Sequence, residues 1–333
     1  MSRYPIFDRS QIRLQPLCQR GHDLVPENCW ELNRPEELYS HPEFAELLAS
    51  LRLASKQGRP IVLMMGAHLI KLGLSRFVID LMDQGLVTHV ATNGAGIIHD
   101  FEIAWGQGTS ESVPKWIRVG QFGLWKETSL LNDFITEGAR RNEGLGESVG
   151  RAICEFELPR QDLSIAAAGW RNRVPVTCHV SVGSDIIHSH ANCDGAALGQ
   201  TSYTDFLMFA RTIQDLEGGV FLNVGSAVTG PEVYLKALSM ARNIKRQHGE
   251  PLQHFTTAVF DLCELPASFR QGPPGKDHPM YYYRPWKTIL VRTVADGGSS
   301  YYFQGDHQQT IPSLWWQLTT KRQQESDLER SAA

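Results

Sequence analysis

The chain has 333 residues, 42% of them hydrophobic, and a formal net charge of -4 with acidic and basic residues mixed along its length. That length allows one large core or two modest ones, and the charge excludes the concentrated basic footprint of a nucleic-acid or anionic-membrane binder, leaving small-molecule chemistry. Six scattered cysteines without close pairs or metal-knuckle spacing predict reduced thiols in a cytoplasmic protein, and because "MSRYPIFDRSQIRLQPL" has no continuous apolar segment and no later apolar run is long enough for a bilayer, neither secretion nor membrane insertion is expected.

Residues 1–39 are polar and proline-punctuated and predict an N-terminal arm lying over a surface of this subunit or a neighbour. Phe44, Leu47, Leu48 and Leu51 then recur at helical spacing before Gly58. "PIVLMMGA" is apolar on both faces, as a strand buried in a parallel sheet should be. "HLIKLGLSRFVIDLMDQG" has helical periodicity, and "LVTHVAT" supplies a second strand before "NGAG". From Ser112 to Leu158 the pattern predicts only loops and one or two helices. Strand signals return in "VPVTCHVSV", "GGVFLNVG", "FTTAVFDL" and "WKTILVRTV". Between them "YTDFLMFARTIQDLE" and "PEVYLKALSMARNIKRQ" are helical, the latter with Pro231 at an expected first helical position. Alternating strands and helices predict an α/β protein, a doubly wound parallel sheet in one domain over residues 40–320, with residues 321–333 as a frayed polar tail.

In such a sheet, ligands sit outside the carboxyl ends of the strands. The turns at Gly66 and at Asn93 to Gly96 fall there, yet neither is a G-x-G-x-x-G fingerprint, so each is open to two readings, phosphate cradle or plain turn. "DIIHSHANCD" raises a second chemistry. If it were a strand, His188 and His190 would share a face and, with Asp185 or Asp194, offer metal ligands, although no third ligand is fixed by spacing. His22, His89 and His179 fit structural or surface roles. Tyr281, Tyr282 and Tyr283 would alternate between core and solvent on a strand.

The segment "GAHLIKLGLSRFVIDLMDQGLVTHVATNGAGIIHDFEIA" resembles the nicotinamide-dinucleotide segment of the deoxyhypusine synthase family. There a strand ends in a turn of small polar residues, a helix follows, and the next strand ends in Thr-Ala-Gly-Gly before an acidic run. The similarity continues through "RVPVTCHVSVGSDIIHSH", "GGVFLNVGSAVTGPE" and "RPWKTI" and covers most of residues 40–315. It implies a three-layer Rossmann-like fold of that type, NAD as cofactor, and a homotetramer with dinucleotide sites near subunit interfaces. Gly66, Ala67, His68, Leu69 and Lys71 would lie at the first dinucleotide turn. Asn93, Gly94, Ala95 and Gly96 would lie at the second, and Gly225 and Ser226 at the third.

His99 stands where the family has a substrate-binding glutamate, and Asp100 retains the acid that follows. The resemblance therefore makes His99 the acid/base candidate and Asp100 its electrostatic partner. The family's imine-forming lysine corresponds to Lys287 if the tryptophans are aligned at Trp286, but to Thr288 if the isoleucines are aligned at Ile289. On a strand that single step reverses the side chain. The family's polyamine-binding acids are replaced here by tyrosines and arginine, so Tyr282, Arg284 and Trp286 become substrate candidates and an anionic or aromatic substrate is expected rather than spermidine. The resemblance and its departures together imply an NAD-dependent enzyme oxidising a small substrate, with group transfer through Lys287 as an open second step. Two other readings stay open: a non-catalytic NAD-binding or sensing protein, and a metal-assisted hydrolase using His188 and His190.

Overall fold

Alternation along the strands divides the core in two. In β1 (Ile61–Met65), Ile61, Leu63 and Met65 join one apolar cluster while Val62 and Met64 join another. A strand buried on both faces needs helices on both sides, and the chain provides them. The computed structural model describes residues 3–332, with side chains up to residue 320. After α1 (Phe44–Lys56) and β1 come α2 (His68–Lys71), α3 (Ser75–Asp83), β2 (His89–Asn93) and α4 (Gly94–Trp105). Next in the chain are α5 (Val113–Ile117), α6 (Lys126–Arg141), α7 (Leu145–Glu155), α8 (Ile165–Asn172), β3 (Val176–His179) and α9 (Gly195–Gln214). The last elements are β4 (Val220–Val224), α10 (Thr229–Gln247), β5 (Thr256–Asp261), β6 (Ser299–Gln304) and α11 (His307–Ala332).

All strand pairs are parallel and the order is β3-β2-β1-β4-β5-β6, a doubly wound α/β sheet of Rossmann type. Its order reverses between β1 and β4, which open a crevice at their carboxyl ends. Among the described residues, no helix is long and apolar enough to cross a membrane.

Three local expectations change. "WKTILVRTV" is not a strand: Pro285–Arg292 form a π-helix packed on β5, where the Thr257 hydroxyl donates to the Ile289 carbonyl at 3.0 Å. The sixth strand is instead "SSYYFQ", at the sheet edge beside β5. A short apolar run does not separate strand from buried helix by period alone, and Pro285 at the helix start favours the helix. "DIIHSH" contains a 3-10 turn over Ile186–Ser189 rather than a strand. Pro231 is the third residue of α10, still among the helix positions whose N–H has no intrahelical acceptor. The backbone of α11 runs on through the stretch expected to fray, whose side chains from residue 321 lie outside the described ones.

The N-terminal segment is tied down. Leu17 is fully buried, Gln15 bridges to Trp125, and Leu24 pairs antiparallel with Thr109. These contacts carry Arg20 into the interior, where it is buried against α4.

Candidate functional site

The three glycine-bearing turns lie side by side. β1 and β4 are in register to Met65 and Val224, and the Gly66 N–H donates to the Val224 carbonyl at 3.0 Å. A Cβ on Gly66 would collide with the Gly225 carbonyl, and one on Gly225, whose φ is +60°, would come within 2.8 Å of His307 Nε2. The close approach at the switch point therefore requires both glycines. α2 and α10 start immediately beyond these turns, and neither N-cap residue, Ala67 or Val228, supplies a side-chain cap. Ser226 Oγ accepts from Gly230 N at 2.9 Å inside α10. The buried His307 Nδ1 and Asn223 Oδ1 have no hydrogen-bond partner among the described residues. Leu69 points into the core instead, fully buried.

The second turn is built differently. Asn93 caps α4 by accepting from Gly96 N at 2.9 Å. A Cβ on Gly94 would strike the Asp185 carboxylate, so that carboxylate fills the space at the α4 N-terminus where a phosphate would otherwise approach. Beyond it, Ala95, Ile98, His99 and Glu102 form one face of α4 at i, i+3, i+4 and i+7. That face borders a cavity of about 230 Å³ closed by Lys71, Glu111, Phe122 and Asp185, with Arg20 reaching in from the N-terminal segment.

At its floor Glu102 accepts from Arg20 at 2.7 and 3.0 Å, from Thr109 Oγ1 at 2.6 Å and from Thr128 Oγ1 at 2.7 Å. Burial alone would raise this carboxyl, but the Arg20 charge and these hydrogen bonds outweigh it and hold it below its usual range. Thr109 Oγ1 also lies 2.7 Å from His99 Nδ1. Its single proton goes to Glu102, so the network assigns the ring proton to Nδ1 of His99 and leaves Nε2 a lone pair. Burial lowers the His99 pKa to about 4, against the pull of Glu102, so the ring is neutral near pH 7.

Two further acids border the cavity. Glu111 Oε1 accepts from Trp125 Nε1 and Gly123 N, both at 3.0 Å, while Oε2 is buried with no partner among the described residues. Asp185 Oδ2 is likewise buried with no hydrogen-bond partner among the described residues, 3.7 Å from His188 Nε2. Burial raises Glu111 and pushes Asp185 up to about 6.

Of the residues expected at the site, Lys71, Ala95 and His99 meet in this cavity, Gly94 lies behind Asp185, and Gly66, Gly225 and Ser226 lie at the neighbouring switch point. Asp100 faces the other way. It accepts from Ile165 N at 2.7 Å, Ala166 N at 3.2 Å and Ser164 Oγ at 2.5 Å, capping α8, and burial raises it to about 6 against those bonds. One position along a helix turns a side chain by about 100°, which separates it from His99; Glu102, a turn further on, is the acid linked to that ring.

Lys287 is buried in the π-helix with Nζ 3.7 Å from the Tyr281 ring centroid, and it does not border the cavity. The expected substrate residues also lie elsewhere. Tyr282 is 80% exposed, Arg284 pairs with Glu232 at 3.0 Å, and Trp286 Nε1 donates to the Phe269 carbonyl at 2.9 Å. His188 Nδ1 accepts from Gly183 N and Asp185 N, whereas His190 Nε2 donates to the Gly123 carbonyl at 2.7 Å. The two rings thus serve separate loops, and no group of three metal-ligating side chains occurs among the described residues. Glu102 was within reach of sequence reasoning through the period of α4. Arg20, Thr109, Glu111 and Asp185 come from loops whose spacing carries no such signal.

No known family model matches the chain, and no curated protein matches it. Solved structures similar to it include the ternary complex of AgrE with ornithine and NAD+, at 13% identity and TM-score 0.49, covering 86% of this chain and 34% of AgrE. Another is a LOR/SDH-type protein of Methanococcus maripaludis S2, at 13% identity and TM-score 0.48, covering 87% and 74%. A third is an Entamoeba histolytica protein assigned as a deoxyhypusine synthase, at 10% identity and TM-score 0.38, covering 84% and 87%. The chain thus spans about a third of the length of AgrE.

Proposed function

We propose that the protein is an NAD-dependent enzyme that oxidises a small polar substrate held in the His99 cavity. The observation that carries this reading is a neutral imidazole with its proton held on Nδ1, set in a charged cavity beside the switch point of a doubly wound sheet. The dinucleotide fits the crevice between Gly66 and Gly225, where the backbones approach closely and His307 Nδ1 lacks a partner among the described residues. It fits less well at α4, where Asp185 stands. Bound there, NAD supplies a hydride acceptor for the C–H bond being oxidised.

The protein supplies the other half of the reaction. His99 Nε2 takes the proton from the O–H or N–H on the same carbon, and the resulting imidazolium is supported through Thr109 by the Glu102 carboxylate. Lys71 and the two unpartnered acids orient the substrate. Oxidation without transfer is favoured over an imine on Lys287, because that lysine lies under Tyr281 and outside the cavity. We include in this reading an N-terminal segment that completes the site through Arg20, and a homotetrameric assembly.

The test is NAD titration of the purified protein, followed by NAD reduction assays with small alcohols, hydroxy acids and amino acids. His99→Gln should lower kcat by about 10²- to 10⁴-fold with NAD affinity retained. A protein that does not bind NAD, or a His99→Gln variant with undiminished turnover, removes the reading.

A further inference from the structure

The cavity holds more negative than positive charge once its internal pair is set aside. Arg20 and Glu102 neutralise one another at 2.7 Å. What remains is the Glu111 and Asp185 carboxylates on one side and the Lys71 ammonium on the other. The side chains of Glu111 and Asp185 are only 5% and 9% exposed, and each has one oxygen with no donor at hydrogen-bond distance among the described residues. Buried carboxylate oxygens are rarely left so, because an unmet acceptor forfeits its hydration without return. Each awaits a donor that the described residues do not supply. Arg20 does not supply it: its guanidinium is 3.8 Å from Glu111 Oε1 and is committed to Glu102. His188 does not supply it either: its Nδ1 accepts from backbone N–H groups, which leaves the ring proton on Nε2, but Nε2 is 3.7 Å from Asp185 Oδ2, beyond hydrogen-bond distance. Lys71 makes no hydrogen bond or ion pair among the described residues, so its charge is open to an anion.

We propose that the ligand of this cavity is a small amino acid, with its protonated nitrogen held between Glu111 and Asp185 and its carboxylate held by Lys71. The inference rests on the reading of the His99 cavity as the substrate pocket. It adds what that reading leaves open, the charge pattern of the substrate and the residues that select it. The size agrees: a cavity of about 230 Å³ is below the roughly 300–1,000 Å³ of pockets for drug-sized ligands. Burial has raised both acids, which is the state that an incoming cation reverses by replacing lost solvation with a charged donor. The same nitrogen would present the N–H from which His99 Nε2 takes its proton. The acids that a cationic group requires are therefore here, on the Ser110–Glu111 loop and behind β3, and not in the tyrosine run where the family resemblance looked for them.

Calorimetry on the full-length protein tests the pattern with three panels: α- and ω-amino acids, carboxylic acids of the same skeleton without the nitrogen, and amines without the carboxylate. At least one amino acid should bind, and removing either charged group from it should weaken binding about tenfold or more. Asp185→Asn and Glu111→Gln should each lose that factor for amino acids and amines while leaving the carboxylic acids unchanged, and Lys71→Met should show the opposite selectivity. Should Glu111→Gln fail to fold, since Glu111 also holds Trp125, Asp185→Asn and the wild-type panels still decide. Amino acids that bind no better than the carboxylic acids, or no binding by any amino acid, overturn the proposal even in a protein that binds NAD. The expected selectivity in a protein that does not bind NAD would instead retain this proposal and remove the NAD reading.

Discussion

At the carboxyl ends of β2 and β3 the chain gathers charge, and at the end of β5 it gathers rings. On the first side Arg20, Lys71, Glu102, Glu111 and Asp185 border one cavity with His99, and two carboxylate oxygens have no donor among the described residues. On the second side the charges are met. Asp261 accepts from the Tyr283 hydroxyl at 2.6 Å and Leu262 N at 2.7 Å, Arg284 pairs with Glu232, and Lys287 rests on Tyr281. On the α4 side the unmet carboxylate oxygens belong to residues that border a cavity, whereas on the π-helix side the charges are paired, and that difference is why the reading proposed above places the ligand beside α4.

The strongest way to break this contrast is Arg20→Ala. It leaves Glu102 charged and buried, and unfolding by urea should show a loss of about 3–5 kcal/mol. A loss below about 1 kcal/mol would mean that the wall of the cavity is wetter than its burial indicates. Gly94→Ala comes next. Alanine is ordinarily the better helix residue, but here its methyl meets the Asp185 carboxylate, so a cost of about 1–3 kcal/mol is expected, together with weaker amino-acid binding. A gain in stability would show that Asp185 does not sit against α4.

Asp205 sharpens the comparison because it is an unpartnered acid without a cavity. Its Oδ2 accepts from Cys178 N at 2.7 Å and Gly146 N at 3.0 Å, while Oδ1 is buried without a partner among the described residues. Burial raises its pKa to about 8, so the folded protein binds a proton there that the unfolded chain has released. Stability should therefore be fully present below about pH 4 as far as this group is concerned, and fall as pH rises to about 8. Asp205→Asn removes that slope. Relative to wild type it should gain about 3 kcal/mol between pH 6 and pH 9 in denaturant titrations, and parallel pH profiles would sink the assignment. The smallest effect is expected from Lys287→Met. It gives up a cation–ring contact of about 1 kcal/mol and should leave turnover intact. Abolished turnover with normal folding would return the imine on Lys287 to the mechanism.

The legible part of this molecule is local. Continuous apolar runs marked β1, β2, β4 and β5, glycines marked the turns at Gly66, Gly94 and Gly225, and the spacing of Phe44, Leu47, Leu48 and Leu51 marked α1. Handedness and winding rules then suffice to bring those turns to one edge. The resemblance led to His99, which borders the cavity, but also to Asp100 and Lys287, which face elsewhere. Residue-by-residue transfer over so distant a likeness is sensitive to a single step along a helix. "WKTILVRTV" is the more apolar and β-branched of the two runs, yet "SSYYFQ" forms the sixth strand, because packing against β5 and not local pattern decides between them.

Sequence by itself therefore determined the class of fold and the glycine turns that meet at the strands' carboxyl ends, because periodicity and turn chemistry act between neighbours in the chain. Tertiary structure decided which charges meet. Arg20 reaches Glu102 across 82 positions, and Asp185 comes to rest on Gly94 from the far side of β3. Contacts of that range are set by the closing of the whole core, and no window of sequence contains both partners.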